Sequence, residues 1–254
     1  MQSERVKGTQ SFARSMNVLQ LIAEQDEAPG VSELLSLSGL TRPTLYRILS
    51  SLEAEGLVVK NRDKCYRLGA RLIGLAHSAL AQVDVRQVAR PALASLRDET
   101  GETVHLAIRN LDELVYVDKI ESRELVRMAS TVGTRVPFHS SSVGKAYLAK
   151  LPKDEAEQIM TRLRFAPLTA NTSRDLQELR KKVQLTRERG YSVDDQENED
   201  GIVCFGAAIQ DGSGLPVASV SISVPVFRLN KDKSHYWRPL VERCAQISRR
   251  LGFA

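Results

Sequence analysis

The first 70 residues carry apolar side chains at three- and four-residue spacing, which is typical of one face of a helix. Phe12, Met16, Leu19 and Ile22 predict a helix over 9–25 with these side chains in one apolar stripe. The helical pattern is broken by a Pro-Gly pair and resumes in a second, shorter helix, which is expected to close at a glycine.

A third helix is predicted to begin at Thr41, a good N-cap, with Pro43 tolerated in its first turn. Its buried face carries Leu45, Ile48, Leu49 and Leu52. Residues 57–68 then predict a strand, a polar turn and a second strand. Two short helices joined by a tight turn and followed by a basic hairpin are typical of a winged helix-turn-helix. A small helical subdomain with a solvated hairpin is the alternative.

The rest of the chain mixes helical and strand patterns. Residues 68–83 predict a connecting helix. Further helices are expected over 88–99, 142–149, 153–162, 173–189 and 233–251, and strands over 104–109, 113–120, 201–210 and 215–224. This interleaving indicates an α+β domain with a mainly antiparallel sheet. The predicted organisation is a winged helix-turn-helix domain at 1–68, a linker helix at 69–85 and an effector-binding and oligomerisation domain at 86–254.

Length and composition agree with two globular domains. The chain has 254 residues, of which 42% are hydrophobic and 26% charged, and this excludes disorder over most of its length. No apolar run reaches the roughly 20 residues of a membrane span, and the N-terminus lacks the apolar core of a signal peptide. Three scattered cysteines are too few for a disulfide framework. We therefore expect a cytoplasmic protein without a membrane partner.

The charge distribution is more informative than the net charge of +5. Residues 1–68 hold nine basic and eight acidic side chains, but residues 41–68 alone hold six basic and three acidic ones. The basic groups fall on the outward face of the third helix and at the hairpin, where DNA phosphates would be met. The candidate DNA-binding residues are Arg14, Arg42, Thr44, Tyr46, Arg47, Lys60, Arg62 and Lys64.

The sequence contains no complete set of catalytic residues. Ser142 and Lys145 fit the Ser-x-x-Lys signature of penicillin-recognising acylases, but the accompanying Ser-Asp-Asn and Lys-Thr-Gly elements do not occur. Nucleophile-elbow, zinc-protease and phosphate-loop motifs are also missing, and the four histidines are isolated from one another. We expect neither catalysis nor a cofactor.

Three groups of residues instead predict a small-molecule site. The free N–H groups at the start of the helix at Ser142 favour an anion. Asp194 and Asp195 are expected just after a short strand near Tyr191, and Ser221 and Ser223 face one side of their strand because they alternate with apolar residues. Taken separately, a capped helix, a solvated acidic loop and the outer face of a strand explain these groups better than a binding site does.

The order and spacing of several motifs resemble the isocitrate lyase regulator (IclR) family of bacterial transcription factors over nearly the whole chain. The N-terminal motifs are Ser-Phe-Ala-Arg-Ser at 11–15, Gly-Leu-Thr-Arg-Pro-Thr-Leu-Tyr-Arg-Ile-Leu at 39–49 and Tyr-Arg-Leu-Gly at 66–69. The C-terminal motifs are Gly-Glu-Thr-Val at 101–104, Pro-Phe-His at 137–139, Gly-Lys-Ala at 144–146, Arg-Gly-Tyr at 189–191, Asp-Asp at 194–195 and Ser-Ile-Ser at 221–223.

The resemblance implies a winged helix-turn-helix joined by a helix to a GAF- or profilin-like effector domain. Such regulators, many of them repressors, form homodimers or homotetramers, bind palindromic double-stranded DNA operators and respond to small organic acids. Carried over by motif, the effector-binding residues are Leu125, Met128, Val136, Ser142, Val143, Gly144, Asp194, Ile202, Cys204, Ser221 and Ser223. Ser142 and Val143 replace a smaller Gly-Ala pair common in the family, which implies a narrower pocket with one more donor.

Asp194 would repel a carboxylate, so we expect it to accept a hydrogen bond from a hydroxyl group of the effector. A divalent metal held by His139, Asp194 and Cys204 is an alternative, although no metal is expected. Two other functions stay open. One is an enzyme acting on a small acid, with the N-terminal helices used for assembly only, and the other is an architectural DNA-binding protein without a small-molecule switch.

Overall fold

The chain divides into two compact units, Met1–Gln82 and Val83–Ala254. The computed structural model describes residues 10–81, 84–125 and 128–253. Thr9, where the first helix was predicted to begin, and Val83, where the connecting helix was predicted to end, lie outside the described residues. Within the described ranges, no helix is both long and apolar enough to cross a membrane.

The first unit has the elements of a winged helix-turn-helix in the predicted order. They are α1 (Gln10–Ala23), α2 (Val31–Ser38), α3 (Arg42–Ala54), β1 (Val58–Lys60), β2 (Tyr66–Leu68) and α4 (Arg71–Ala81). Gly39 adopts the left-handed conformation, with φ at 64°, and this allows α2 to end and the chain to turn into α3. β1 and β2 pair in antiparallel fashion, and the N–H of Tyr66 donates to the carbonyl of Pro29 at 2.9 Å.

The core of this unit is formed by α1, α2, α3 and the hairpin. It consists of Val18, Leu19, Ile22, Leu34, Leu45, Ile48, Leu49, Leu52, Val58 and Tyr66. The predicted buried face of α3 is therefore confirmed. The apolar stripe predicted for α1 is only partly buried: Leu19 and Ile22 lie in the core, whereas Phe12 is 68% and Met16 is 45% exposed. Helical periodicity identifies a face of a helix, but not how far the neighbouring elements extend along it.

The second unit is an antiparallel sheet with helices on both faces. Its strands are β3 (Thr103–Asn110), β4 (Glu113–Ile120), β5 (Arg135–Val136), β6 (Ser192–Asp195), β7 (Ile202–Gln210) and β8 (Pro216–Pro225). Its helices are α5 (Asp84–Thr100), α6 (Ser142–Lys150), α7 (Lys153–Met160), α8 (Leu176–Arg189) and α9 (Ser234–Arg250), with a 3-10 turn at Val226–Arg228. The strand order is β5-β4-β3-β8-β7-β6, and each of these pairs is antiparallel.

The α+β class and the antiparallel sheet are confirmed, with two differences at the sheet edges. β5 was not predicted, because two residues are too few to show an alternating pattern. Asp194 and Asp195 lie within β6 and not in a loop after it.

Alternation along β7 separates the two faces of the sheet. Phe205 stacks on Tyr236 of α9 with ring centroids 5.4 Å apart. Gly206 points the other way, where a Cβ atom would lie 2.6 Å from the carbonyl oxygen of Ser142 in α6. Because Gly206 pairs with Ser221, and Ser221 with His105, these residues all lie on the α6 face of the sheet.

Candidate functional sites

The outward face of α3 presents predicted DNA-contacting side chains to solvent. Arg42, Tyr46 and Arg47 are exposed, and within the described part of the chain neither arginine forms an ion pair. Thr41 occupies the N-cap position, but its hydroxyl hydrogen-bonds to that of Thr44 at 2.9 Å, so the expected side-chain cap to a backbone N–H is not formed. The face is thus polar, cationic and free to meet another molecule.

The hairpin holds three more cations on a well-defined turn. Lys60, Arg62 and Lys64 are exposed, and among the residues that the structure describes none of them is ion-paired. The Asn61 side chain fixes the turn by accepting from the N–H of Cys65 at 2.8 Å, and Lys64 lies in the left-handed region with φ at 63°. The turn therefore projects a cluster of positive charge.

Arg14 lies on α1 and is exposed. It lines a polar cleft of about 370 Å³ together with Ala13, Asn17, Ser38 and Leu40. The Ser38 hydroxyl at the end of α2 accepts a hydrogen bond from the N–H of Leu40 at 3.3 Å. Arg14 thus has polar neighbours from two helices.

In the second unit, the start of α6 lies against the sheet. Ser141 is the N-cap, and its hydroxyl oxygen accepts from the N–H of Gly144 at 3.1 Å. The capping side chain therefore leaves the first-turn N–H groups of Ser142 and Val143 available for an anion. Gly144 is required for packing, since a Cβ atom there would lie 2.5 Å from the Cα atom of Phe138.

Asp194 is buried in β6 opposite Cys204. Its Oδ1 accepts hydrogen bonds from the N–H groups of Glu197 at 2.7 Å and Asn198 at 3.2 Å, and so closes the turn after the strand. Burial raises the pKa of Asp194 to about 6, although the nearby Lys145 ammonium opposes the rise. No described residue hydrogen-bonds to Oδ2, so this oxygen has capacity for a ligand.

A chain of polar contacts crosses the α6 face next to Asp194. The Cys204 thiol donates to the Ser223 hydroxyl at 3.2 Å, Ser223 lies 3.4 Å from Nδ1 of His105, and Nε2 of His105 lies 2.7 Å from the Ser130 hydroxyl. Burial raises the pKa of the thiol, so Cys204 stays a donor. Burial, helped by Lys119, lowers the pKa of His105 to about 3, so the imidazole is neutral. With the ring proton on Nε2, His105 donates to the Ser130 hydroxyl and accepts at Nδ1 from the Ser223 hydroxyl, so each of the three contacts has one donor and one acceptor.

Ser221 differs from Ser223 because its only polar neighbour among the described side chains is the phenol of Tyr116, whose pKa it lowers, and the two form no well-aligned hydrogen bond. Ser221 is 1% exposed, and within the described residues its Oγ has no hydrogen-bond partner. Buried polar atoms in native proteins almost always have a partner, which is often water or a ligand.

The apolar residues expected to line the site differ in how deeply they are buried. Val136 is buried and packs in one cluster with Val143. Ile202 is half-buried on the same face as Cys204, and the carbonyl of half-buried Met128 accepts from Lys119 at 2.8 Å. Leu125 is 96% exposed, so the structure does not bring it to the others.

A buried ion cluster beside the site was not predicted. Nζ of Lys145 lies 2.5 Å from Oε1 of Glu197 and 3.2 Å from the carbonyl of Ser140, and Nζ of Lys182 lies 2.8 Å from Oε2 of Glu197. This ion cluster connects α6, through Lys145, and α8, through Lys182, to the turn after β6 that Asp194 stabilises. Residues 142–149 have no polar face, which was the available signal that Lys145 is buried.

The described residues offer no ligand set for the metal alternative. Nε2 of His139 contacts the carbonyl of Ala166 at 3.1 Å, and its ring meets Phe165 edge-on. In residues 10–81, 84–125 and 128–253, no three His, Cys, Asp or Glu side chains are grouped as metal ligands.

Family models match both units of the chain. The model of the bacterial transcriptional regulator IclR C-terminal domain matches residues 77–249, and that of the IclR helix-turn-helix domain matches residues 11–62.

Individual proteins give the same result. The chain is 33% identical over 248 residues to the HTH-type transcriptional repressor AllR of Escherichia coli (strain K12), covering 97% of this chain and 92% of AllR. It is 33% identical to the solved structure of Thermotoga maritima IclR, with a TM-score of 0.76 and coverage of 96% of this chain and 99% of that one. An IclR homologue from Microbacterium hydrocarbonoxydans, solved with 4-hydroxybenzoate, shares the fold at 23% identity, with a TM-score of 0.79 and coverage of 95% and 98%. The chain therefore belongs to the IclR family of bacterial transcriptional regulators, and it is a DNA-binding regulator and not an enzyme.

Proposed function

We propose that this regulator is a ligand-responsive repressor whose first unit binds a palindromic operator and whose second unit binds a small organic acid that changes operator affinity. The observation that carries the ligand-responsive part is the buried polar site between α6 and the sheet, where Ser221 and Oδ2 of Asp194 have unused hydrogen-bonding capacity within the described chain. The repressor AllR supports repression, and the 4-hydroxybenzoate complex of the distant homologue supports an acid as effector.

On DNA, α3 enters the major groove. Arg42, Thr44, Tyr46 and Arg47 contact base edges or phosphates there. The hairpin cations Lys60, Arg62 and Lys64 hold phosphates, as Arg14 does from its cleft, and these contacts set register and salt dependence. Because the chromosome is the target, the protein acts in the cytoplasm.

In the effector site, the carboxylate of the acid lies at the N–H groups of Ser142 and Val143. Oδ2 of Asp194 accepts a hydrogen bond from a hydroxyl group of the same molecule, which avoids repulsion between two carboxylates. Val143 limits the width of the site.

A palindromic operator requires a symmetric protein, so the regulator acts as a homodimer or as a homotetramer. The half-sites then lie about 34 Å, or a multiple of this, apart. Effector binding changes the spacing of the two DNA-binding units, and the linker at 69–85, which contains α4, transmits the change.

Footprinting upstream of the neighbouring operon, with and without acids that stabilise the protein in a thermal-shift screen, tests this function. We expect a palindromic footprint that an acid weakens. A footprint that no acid changes, together with no stabilisation by any acid, would instead favour an architectural DNA-binding protein.

A further inference from the structure

The second unit contains a cavity that none of the transferred effector residues lines. It lies between β7 and the C-terminal half of α9, and its volume is about 240 Å³. Ala207, which lines it, is on the same face of β7 as Phe205, and Phe205 stacks on Tyr236 of α9. The proposed effector site lies on the opposite, α6 face of the sheet. The cavity is therefore separate from that site.

The cavity exists because β7 extends further than its neighbour β6. β6 pairs with residues 203–206 of β7, so the residues of β7 that follow have no strand partner on that edge within the described chain. The side chains at this gap are small, since Ala207 and Ala208 of β7 and Ala245 of α9 all line it. Val241 and Phe253 complete an apolar wall. The space can thus hold the apolar body of a small ligand.

The polar side chains of the wall are already bonded within the protein. The hydroxyl of Ser248 accepts from the N–H of Gln210 at 2.9 Å and donates to the carbonyl of Cys244 at 2.8 Å. Nε2 of Gln210 donates to the carbonyl of Gly214 at 2.6 Å. A ligand body without polar groups therefore matches this wall better than a hydroxylated one does.

Two cations lie at the cavity without a charged partner. Lys150 at the end of α6 and Arg249 at the end of α9 are exposed, and in the described part of the chain neither side chain forms an ion pair. Among the described residues, no acidic side chain lines the cavity. The charge at its mouth is thus complementary to an anion.

The carbonyl groups at these helix ends are also bonded. Arg187 donates to the carbonyls of Ala149 at 3.1 Å and Leu151 at 3.3 Å, at the end of α6. At the end of α9, the N–H of Phe253 donates to the carbonyl of Ser248 at 3.0 Å. These bonds occupy carbonyls whose partial negative charge would otherwise repel an anion.

We propose that this cavity is a second ligand site, which binds an apolar monocarboxylate without polar substituents on its body. The carboxylate lies between Lys150 and Arg249. The body packs against Ala207, Val241 and Phe253. The proposal goes beyond regulation through the effector site, which does not depend on it.

Straight-chain carboxylates from butanoate to decanoate test the site in the full-length protein, with calorimetry as the measurement. We expect affinity to rise about fourfold for each added methylene, because each is removed from water, and to level off once the cavity is full. 1-Octanol has a similar body without the charge, and it should bind about tenfold more weakly than octanoate.

Three variants locate the effect. Ala245→Leu fills the cavity and should weaken octanoate at least tenfold, whereas Gln246→Leu is the matched control and should leave its affinity unchanged. Both positions are exposed on α9, so neither leucine disturbs the core, and melting temperatures without ligand check this. The double variant Lys150→Gln, Arg249→Gln should weaken octanoate about tenfold and leave 1-octanol unchanged.

The proposal fails if octanoate binds Ala245→Leu as tightly as Gln246→Leu, since the ligand would then lie outside this cavity. Unchanged octanoate affinity in the double variant would also overturn it, because the two cations would not hold the carboxylate. Binding of none of the carboxylates would overturn it as well, while regulation by an acid in the effector site stands.

Discussion

The two candidate functional regions of this protein are built in opposite ways. On α3 and the hairpin, the cations are exposed above an apolar core and, in the described chain, have no ion-pair partners. On the α6 face of the sheet, polar side chains are buried and most are bonded to one another. In the first arrangement the cationic side chains stay hydrated until a polyanion such as DNA binds. In the second, hydrogen bonds between protein groups replace the hydrogen bonds to water.

This difference indicates at which residues a substitution can change function without changing stability. Removing an exposed, unpaired cation costs little folding free energy, so its loss acts on DNA affinity alone. Removing one member of a buried network leaves its partners unsatisfied, so binding and stability change together. The following predictions test this contrast.

The largest effect is expected from Glu197→Ala. It leaves the buried ammonium of Lys145 without its carboxylate, which costs about 3–5 kcal/mol of unfolding free energy. The exposed Glu199→Ala is the matched control and should stay within about 0.5 kcal/mol of the original protein. Denaturant midpoints measure both. Equal midpoints for the two variants would show that the cluster is not coupled to stability.

Asp194→Asn is expected to change the pH dependence of stability. The folded pKa of about 6 lies above the ordinary 3.8, so the stability from Asp194 is full below pH 3.8 and is lost as the pH rises through 6. Asparagine retains the accepting Oδ1 and carries no charge. At pH 8 the variant should be more stable by about 3 kcal/mol, and below pH 4 the difference should vanish.

Unfolding of both proteins from pH 3 to pH 8 measures this difference. His105 acts in the opposite direction, because its folded pKa of about 3 lies below 6.5 and its contribution is lost as the pH falls below 6.5. It is present in both proteins and cancels. A difference that is constant with pH would contradict the prediction. In calorimetry, the same variant should bind a hydroxy acid more weakly.

Arg47→Ala is the corresponding test in the first unit. We expect it to cost about 1–3 kcal/mol of operator affinity at constant salt and to leave the unfolding free energy nearly unchanged. The exposed Arg164→Ala in the second unit is the control and should leave operator affinity unchanged. Unaltered operator affinity in Arg47→Ala would rule out the proposed docking of α3.

The smallest effect is expected from Arg62→Ala in the hairpin. A phosphate contact carries no sequence information, so affinity should fall equally for operator and unrelated DNA, and the salt slope should decrease by about 1. Binding isotherms at several salt concentrations measure this. Loss of operator affinity alone would assign a base contact to Arg62.

The sequence predicted those elements correctly whose pattern extends over only a few neighbouring residues. The buried face of α3, the hairpin and the four longer strands of the sheet follow from periodicities of a few residues and from turn residues between them. The apolar stripe of α1 did not show that Phe12 and Met16 are exposed, since burial depends on what packs against a face. The transferred positions Cys204 and Ser223 are in contact, but Leu125 is not with them, because a motif gives a position and not the path of its loop.

By itself, the sequence determined the order of the elements other than β5, the α+β class, the outward cationic face and, through the resemblance, the family. Only the tertiary structure decided which polar groups are bonded and which remain unsatisfied. Lys145 meets Glu197 from 52 positions away, and Ser223 meets His105 from 118 positions away. No local pattern encodes such pairs, because they arise only when strand register and helix packing bring distant segments together, and burial then sets the energy of each polar group.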